Sequence, residues 1–121
     1  MPNRERVQAF IATVENARYV EALEDFYHPH ATMQDNQQPP RVGRDRLIAD
    51  ERATMSRFVE MKTDRVTDLL IDDDKVMIRW KFTFIPPQGP PIFMEELSLQ
   101  LWSGDRIAEE RFFFDPRQTG G

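Results

Sequence analysis

The chain has 121 residues, 31% of them charged, and 16 Lys+Arg against 21 Asp+Glu leave a net charge of −5. A single domain of this length buries roughly two-thirds of its unfolded surface, enough for a core without staples, and leaves no room for a second domain. The acidic balance argues against nucleic acid or an anionic membrane as partner, and the absence of cysteine removes disulfides, thiolate catalysis and Cys-type metal centres.

In chain order, the N-terminal stretch MPNRERVQAFIATVENARYV is interrupted by Gln8 and flanked by Glu5 and Glu15, so it does not read as a signal peptide. With no apolar run long enough to span a bilayer, the expectation is a cytoplasmic protein of one domain, residues 1–121. Asn3 is a plausible cap, and Val7, Phe10, Ile11 and Val14 recur at helical spacing behind it. The pattern breaks near Asn16-Ala17 and restarts with Tyr19, Leu23, Phe26 and Tyr27, a second helix ended by His28-Pro29-His30. Ala31 to Asp35 alternates as a short strand, and Asn36 to Pro40 is a polar loop. Gly43 precedes a third helix with Leu47, Ile48, Met55 and Phe58 facing inward.

From Glu60 the period changes from 3.6 to 2. Residues 60–71 read as one strand closed by the acidic turn Asp72-Asp73-Asp74, which lacks the glycine and distal glutamate of a calcium loop. Val76, Ile78, Trp80, Phe82 and Phe84 share one face of the next strand. After Pro86 to Pro91, a further strand carries Phe93, Glu95, Leu97, Leu99 and Leu101 on its odd face, which is the apolar one and is expected to line the interior. Gly104-Asp105 makes a two-residue hairpin turn, Arg106 to Asp115 the last strand, and 116–121 a flexible polar tail. Helices followed by a mostly antiparallel meander give an α+β fold. The sheet's other face still carries Met77, Ile85, Met94, Trp102 and one side of Phe112-Phe113-Phe114, which a second copy of the chain would cover; isolated surface aromatics are the alternative.

The order FYHPHATMQD, VGRDRLIADE, paired strands and LWSGDRIAEERFFF resembles the SnoaL-like group of the nuclear transport factor 2-like superfamily, over Val7 to Asp115. The resemblance implies a cone, in which a strongly curved sheet wraps three helices around a pocket, and homodimers packed through the outer sheet face. Its members include polyketide cyclases, ketosteroid isomerase, epoxide hydrolases, dehydratases and binding-only proteins, so fold alone selects no reaction. Asp35 falls at the position of the isomerase's proton-shuttling base. The isomerase's two oxyanion donors fall near Phe10 and Leu97, which have nothing to donate, so steroid isomerisation is not expected.

The expected catalytic residues are Asp35, His30 and Glu95. Asp35 pointing into an apolar cone would be desolvated and made more basic; the alternative is that it caps its own loop. Glu95 lies among apolar neighbours, so it is paired, at the rim, or functional. His30 could relay protons to Asp35, and with His28 it has H-x-H spacing, but a turn histidine is the simpler reading and no metal is assigned. Phe10, Tyr19, Tyr27, Met33, Met55, Phe58, Trp80, Phe82, Leu97 and Phe112 are the expected pocket walls, suited to a small hydrophobic molecule; plain core packing is the alternative for each. No phosphate loop or nucleophile elbow is present, and no cofactor is expected. The readings that follow are a cofactor-free isomerase, cyclase or dehydratase-type enzyme, a binding module, and a dimeric interaction domain.

Overall fold

Asn3 opens the first helix by accepting the Arg6 N–H on its side-chain oxygen at 2.7 Å, and α1 (Arg4–Glu15) follows. The structure, a computed structural model, describes residues 2–120. Ala17, at φ 61°, makes the break before α2 (Tyr19–Phe26). Strand β1 (Tyr27–Asp35) then starts with no intervening turn. His28-Pro29-His30, expected to be a turn, is therefore strand, and its proline falls where the pairing of β1 with the last strand lapses between Tyr27 and Thr32. A two-residue strand β2 (Arg41–Val42) leads through Gly43, at φ 101°, into α3 (Arg44–Met55).

The remaining strands are β3 (Glu60–Thr63), β4 (Leu69–Asp72), β5 (Lys75–Ile85), β6 (Ile92–Ser103) and β7 (Arg106–Phe113). Their order in the sheet is β2-β1-β7-β6-β5-β3, with β4 also on β5; β1 and β7 run parallel and the other pairs antiparallel. Three helices pack on this curled, unclosed mixed sheet as an α+β cone. The single strand expected over 60–71 is two. Between them the Val66 N–H donates to Glu15 of α1 at 2.7 Å, while the Asp64 N–H still donates to the Lys81 carbonyl and the Arg79 N–H to the Asp68 carbonyl, so the break from β5 is confined to residues 65–67.

Strand β6 departs furthest from expectation. Val76, Ile78, Trp80 and Phe82 of β5 face the helices, and their direct partners are Gln100, Ser98, Glu96 and Met94. Directly paired residues project to the same side, so the even residues of β6 line the interior. Trp102, Gln100 and Ser98 are buried, whereas Phe93 and Leu97 are 70% and 39% exposed. The strand's more apolar face points outward, and its polar face points in. Residues 116–119, expected as part of a flexible tail, instead form a 3-10 turn. Its Gln118 side chain accepts from the Glu95 N–H and donates to the Glu95 carbonyl, filling the β6 edge beyond the end of β7.

Phe10 holds the layers together. It is 2% exposed and meets Phe26, Tyr27, Trp80 and Trp102 edge-on, with ring centroids 5.5 to 6.3 Å apart. Phe10→Ala is expected to cost about 3–5 kcal/mol in urea unfolding, through lost burial and the cavity left behind. A cost below about 1 kcal/mol would show that helix and sheet are not joined through this ring.

Candidate functional site

Between the helices and the inner face of the sheet lies an open cavity of about 290 Å³. Its apolar wall follows from the alternation of β5: Trp80, Phe82 and Phe84 stack one over the next, with centroids 5.9 and 6.0 Å apart. Of the expected wall residues, Phe10, Tyr19, Tyr27, Met33, Trp80, Phe82 and Phe112 line this cavity. Met55 packs against the core instead, Phe58 stacks on Phe84 beyond the end of α3, and Leu97 is on the outer face.

The expected catalytic residues are not brought together. Asp35 does line the cavity, but at its wet end, with its carboxylate 3.8 Å from Arg41 and 42% of its side chain exposed. The burial argued for it is not there, and its side chain pairs with Arg41 rather than capping the following loop. Glu95 points outward, 3.6 Å from Arg79, because β6 is turned over relative to the expectation. His30 is exposed and outside the cavity, and His28 Nε2 meets the Ser103 carbonyl at 2.9 Å.

In their place the register delivers Glu96 from β6 and Glu110 from β7, 9% and 3% exposed. Glu110 is fully engaged: the Tyr27 hydroxyl donates to one carboxyl oxygen, and Gln100 Nε2 donates to the other at 2.7 Å. Trp102 Nε1 donates to Gln100 at 2.9 Å and Trp80 Nε1 to Ser98 at 3.2 Å, which fixes both partners. Burial raises the Glu110 pKa to about 7 against the opposing pull of its hydrogen bonds to Tyr27, Gln100 and Ser98. Burial, then repulsion from Glu110, Asp35 and Glu51, raises that of Glu96 to about 8. Burial also raises Glu51 of α3, although Arg41 opposes it, and Tyr27 is pushed well above the usual phenol range by burial and then by Glu110.

Glu96 differs from Glu110 in having no hydrogen bond or ion pair to any described residue, although it lines the cavity. Arg41, the lining cation, is already bound to Asp50 at 3.1 Å. The site is therefore an aromatic chamber with two desolvated carboxyls that make no hydrogen bond or ion pair to a described residue, Glu51 and the more deeply buried Glu96. A strongly perturbed carboxyl in a cleft marks a candidate site of chemistry. The sequence holds a signal for Glu96, the adjacent pair Glu95-Glu96 in an alternating strand, one of which must face inward.

A family model described as SnoaL-like polyketide cyclase matches residues 5–119. A search among curated protein sequences finds no match. Several solved structures share the fold. A nuclear transport factor 2-like protein of unknown function from Burkholderia pseudomallei is 11% identical, with TM-score 0.80 over 95% of this chain and 92% of that one. TerC, co-crystallised with polyporic acid, is 13% identical, with TM-score 0.80 over 98% and 95%. An LEH-like epoxide hydrolase of M. tuberculosis is 14% identical, with TM-score 0.73 over 94% and 83%. At these identities the likeness shows the fold alone. No helix among the described residues is long and apolar enough to cross a membrane.

Proposed function

The chain belongs to the SnoaL-like polyketide cyclase family, and from that premise we propose that it is a cofactor-free acid/base enzyme acting on a small, largely apolar carbonyl compound. The observation that carries the reading is Glu96, a buried carboxyl with no partner among the described residues, aimed into an aromatic cavity. In the proposed step the Glu96 carboxylate takes a proton from the carbon next to the carbonyl, and the bonding electrons move onto the carbonyl oxygen. Returning that proton to another carbon gives an isomerase, closing a ring through the new nucleophilic carbon gives a cyclase, and expelling a β-hydroxyl gives a dehydratase. A base with a pKa near the working pH suits such a step. The role expected of Asp35 passes to Glu96 because Glu96 is the desolvated one, while Arg41, the lining cation, stays paired with Asp50 and Asp35. The test is deuterium exchange: protein in D₂O with a panel of cyclic ketones and β-diketones, followed by NMR at the carbon beside the carbonyl. Exchange above the buffer rate in at least one compound supports the reading; binding without exchange across the panel favours a binding module.

We also propose a homodimer through the outer sheet face. Phe93, Leu97, Leu101 and Phe113 are 70%, 39%, 38% and 37% exposed on that face, more apolar surface than a solvated sheet usually shows. Light scattering at micromolar concentration is expected to give twice the chain mass, and Leu97→Glu with Leu101→Glu to give the chain mass. A monomeric parent protein would end this proposal.

A further inference from the structure

Glu96 is one of two lining carboxyls that no cation contacts directly; Arg41 acts on the other, Glu51, only through space. Glu51, carried by α3 on the helix side of the cavity, likewise has no hydrogen bond or ion pair to a described residue. The two are close enough for Glu51 to repel Glu96. The other lining charges are committed elsewhere. Glu110 is held by Tyr27 and Gln100, and Asp35 and Asp50 share Arg41 at 3.8 and 3.1 Å. Arg46 also approaches Asp50, at 3.6 Å. An anionic ligand would thus meet carboxyls on both walls and no free lining cation. A cationic group would let Glu96 ionise beside Glu51 and pair with both carboxylates, in a setting where aromatic faces add to the attraction.

We propose that the molecule taken by this cavity carries a protonated basic nitrogen, an arylalkylamine in chemical class, seated between Glu51 and Glu96, and that carboxylate-bearing analogues are excluded. The proposal rests on the reading of this cavity as the substrate site and names the substrate's charge. The aromatic part of the ligand lies on the Trp80–Phe82–Phe84 stack. The groups that face Glu96 fix the pH behaviour: Glu110 and Asp35 from the neighbouring strands, Glu51 from α3, and Tyr27, whose hydroxyl stays protonated. Burial, and then all three carboxyls, raise its proton affinity, so Glu96 starts protonated at neutral pH and gives up that proton when the ammonium arrives. Binding therefore leaves Glu96 as the carboxylate that the proposed proton abstraction needs.

The test uses calorimetry with three probes on one skeleton: 1-naphthylmethylamine, 1-naphthylmethanol and 1-naphthoate. The amine is expected to bind at least tenfold more tightly than the alcohol at pH 8, and the naphthoate to show no binding at millimolar concentration. Amine affinity should rise about tenfold from pH 6.5 to 8, with proton release detected by repeating the titration in buffers of different ionisation enthalpy; alcohol affinity should not change. Glu51→Gln with Glu96→Gln should bring the amine down to the alcohol's affinity while alcohol binding persists, which also shows that the variant is folded. Equal binding of amine and alcohol, tighter binding of naphthoate, or an amine preference that survives the double variant would overturn this inference alone. Failure of all three probes to bind would overturn the substrate-site reading beneath it as well.

Discussion

Replacing Glu96 by glutamine is expected to lower deuterium exchange of a responsive neutral ketone by about 10²–10⁴-fold while leaving the fold intact and the affinity for that ketone within a few-fold of the parent. Glutamine keeps the size of the side chain and its ability to fill the pocket beside Trp80, so packing is not what changes. What is lost is the most deeply buried of the lining carboxyls that have no structural partner, the one whose pKa is raised to about 8. The pH profile separates this from a steric effect. A base whose pKa is raised to about 8 makes kcat/KM climb with pH and level off above that value. Because Glu110 titrates beside it, at about 7, the rise should spread over both steps rather than follow a single group. Glu96→Gln should remove the upper inflection. Asp35→Asn, at the wet end, should cost only a few-fold, by altering the charge near Glu96. If Asp35→Asn abolishes exchange and Glu96→Gln does not, the base is Asp35 and Glu96 has no catalytic role.

The second large effect is on stability. Glu96 and Glu110 bind their protons more tightly in the folded chain than the ordinary 4.5 of an unfolded glutamate, because folding takes both out of water. Carboxyls raised in this way contribute most to stability when protonated. Their contribution is complete below about pH 4.5 and is lost as pH rises through 7 to 8. A tenfold gain in proton affinity on folding corresponds to about 1.4 kcal/mol, so between pH 5 and pH 9 the unfolding free energy should fall by roughly 3–6 kcal/mol, the mutual repulsion being counted once. Urea midpoints across that range measure it. Glu96→Gln removes the larger part and should leave the variant more stable than the parent at pH 9. A parent midpoint that does not move between pH 5 and 9 would show that neither carboxyl is desolvated as the geometry requires.

Both effects depend on a single decision made by the sheet. Helix order, the switch to strand period at Glu60, the Asn3 cap, the Gly104-Asp105 turn and the aromatic face of β5 are all local, and each was legible in the residues themselves. The family resemblance carried by the front half and the last strand was legible for the same reason, since motif order survives without coordinates. Seven of the wall residues followed from β5, from the helix stripes and from the strands beside them.

Which of Glu95 and Glu96 turns inward was not legible. An alternating strand has two faces, and Leu97, Leu99 and Leu101 made the odd one of β6 look like the interior. The pairing with β5, fixed across the Pro86 to Pro91 connection, sets even residues against even and turns those leucines out. A one-residue bulge in β7 at Ala108, opposite the Leu101–Trp102 step of β6, then changes the phase of β7 so that Glu110, rather than Glu109, enters the core. Hydrophobicity could not settle either choice. The cone needs polar groups within, the outer face needs apolar ones, and only hydrogen-bond register, a relation between distant segments, says which side is which.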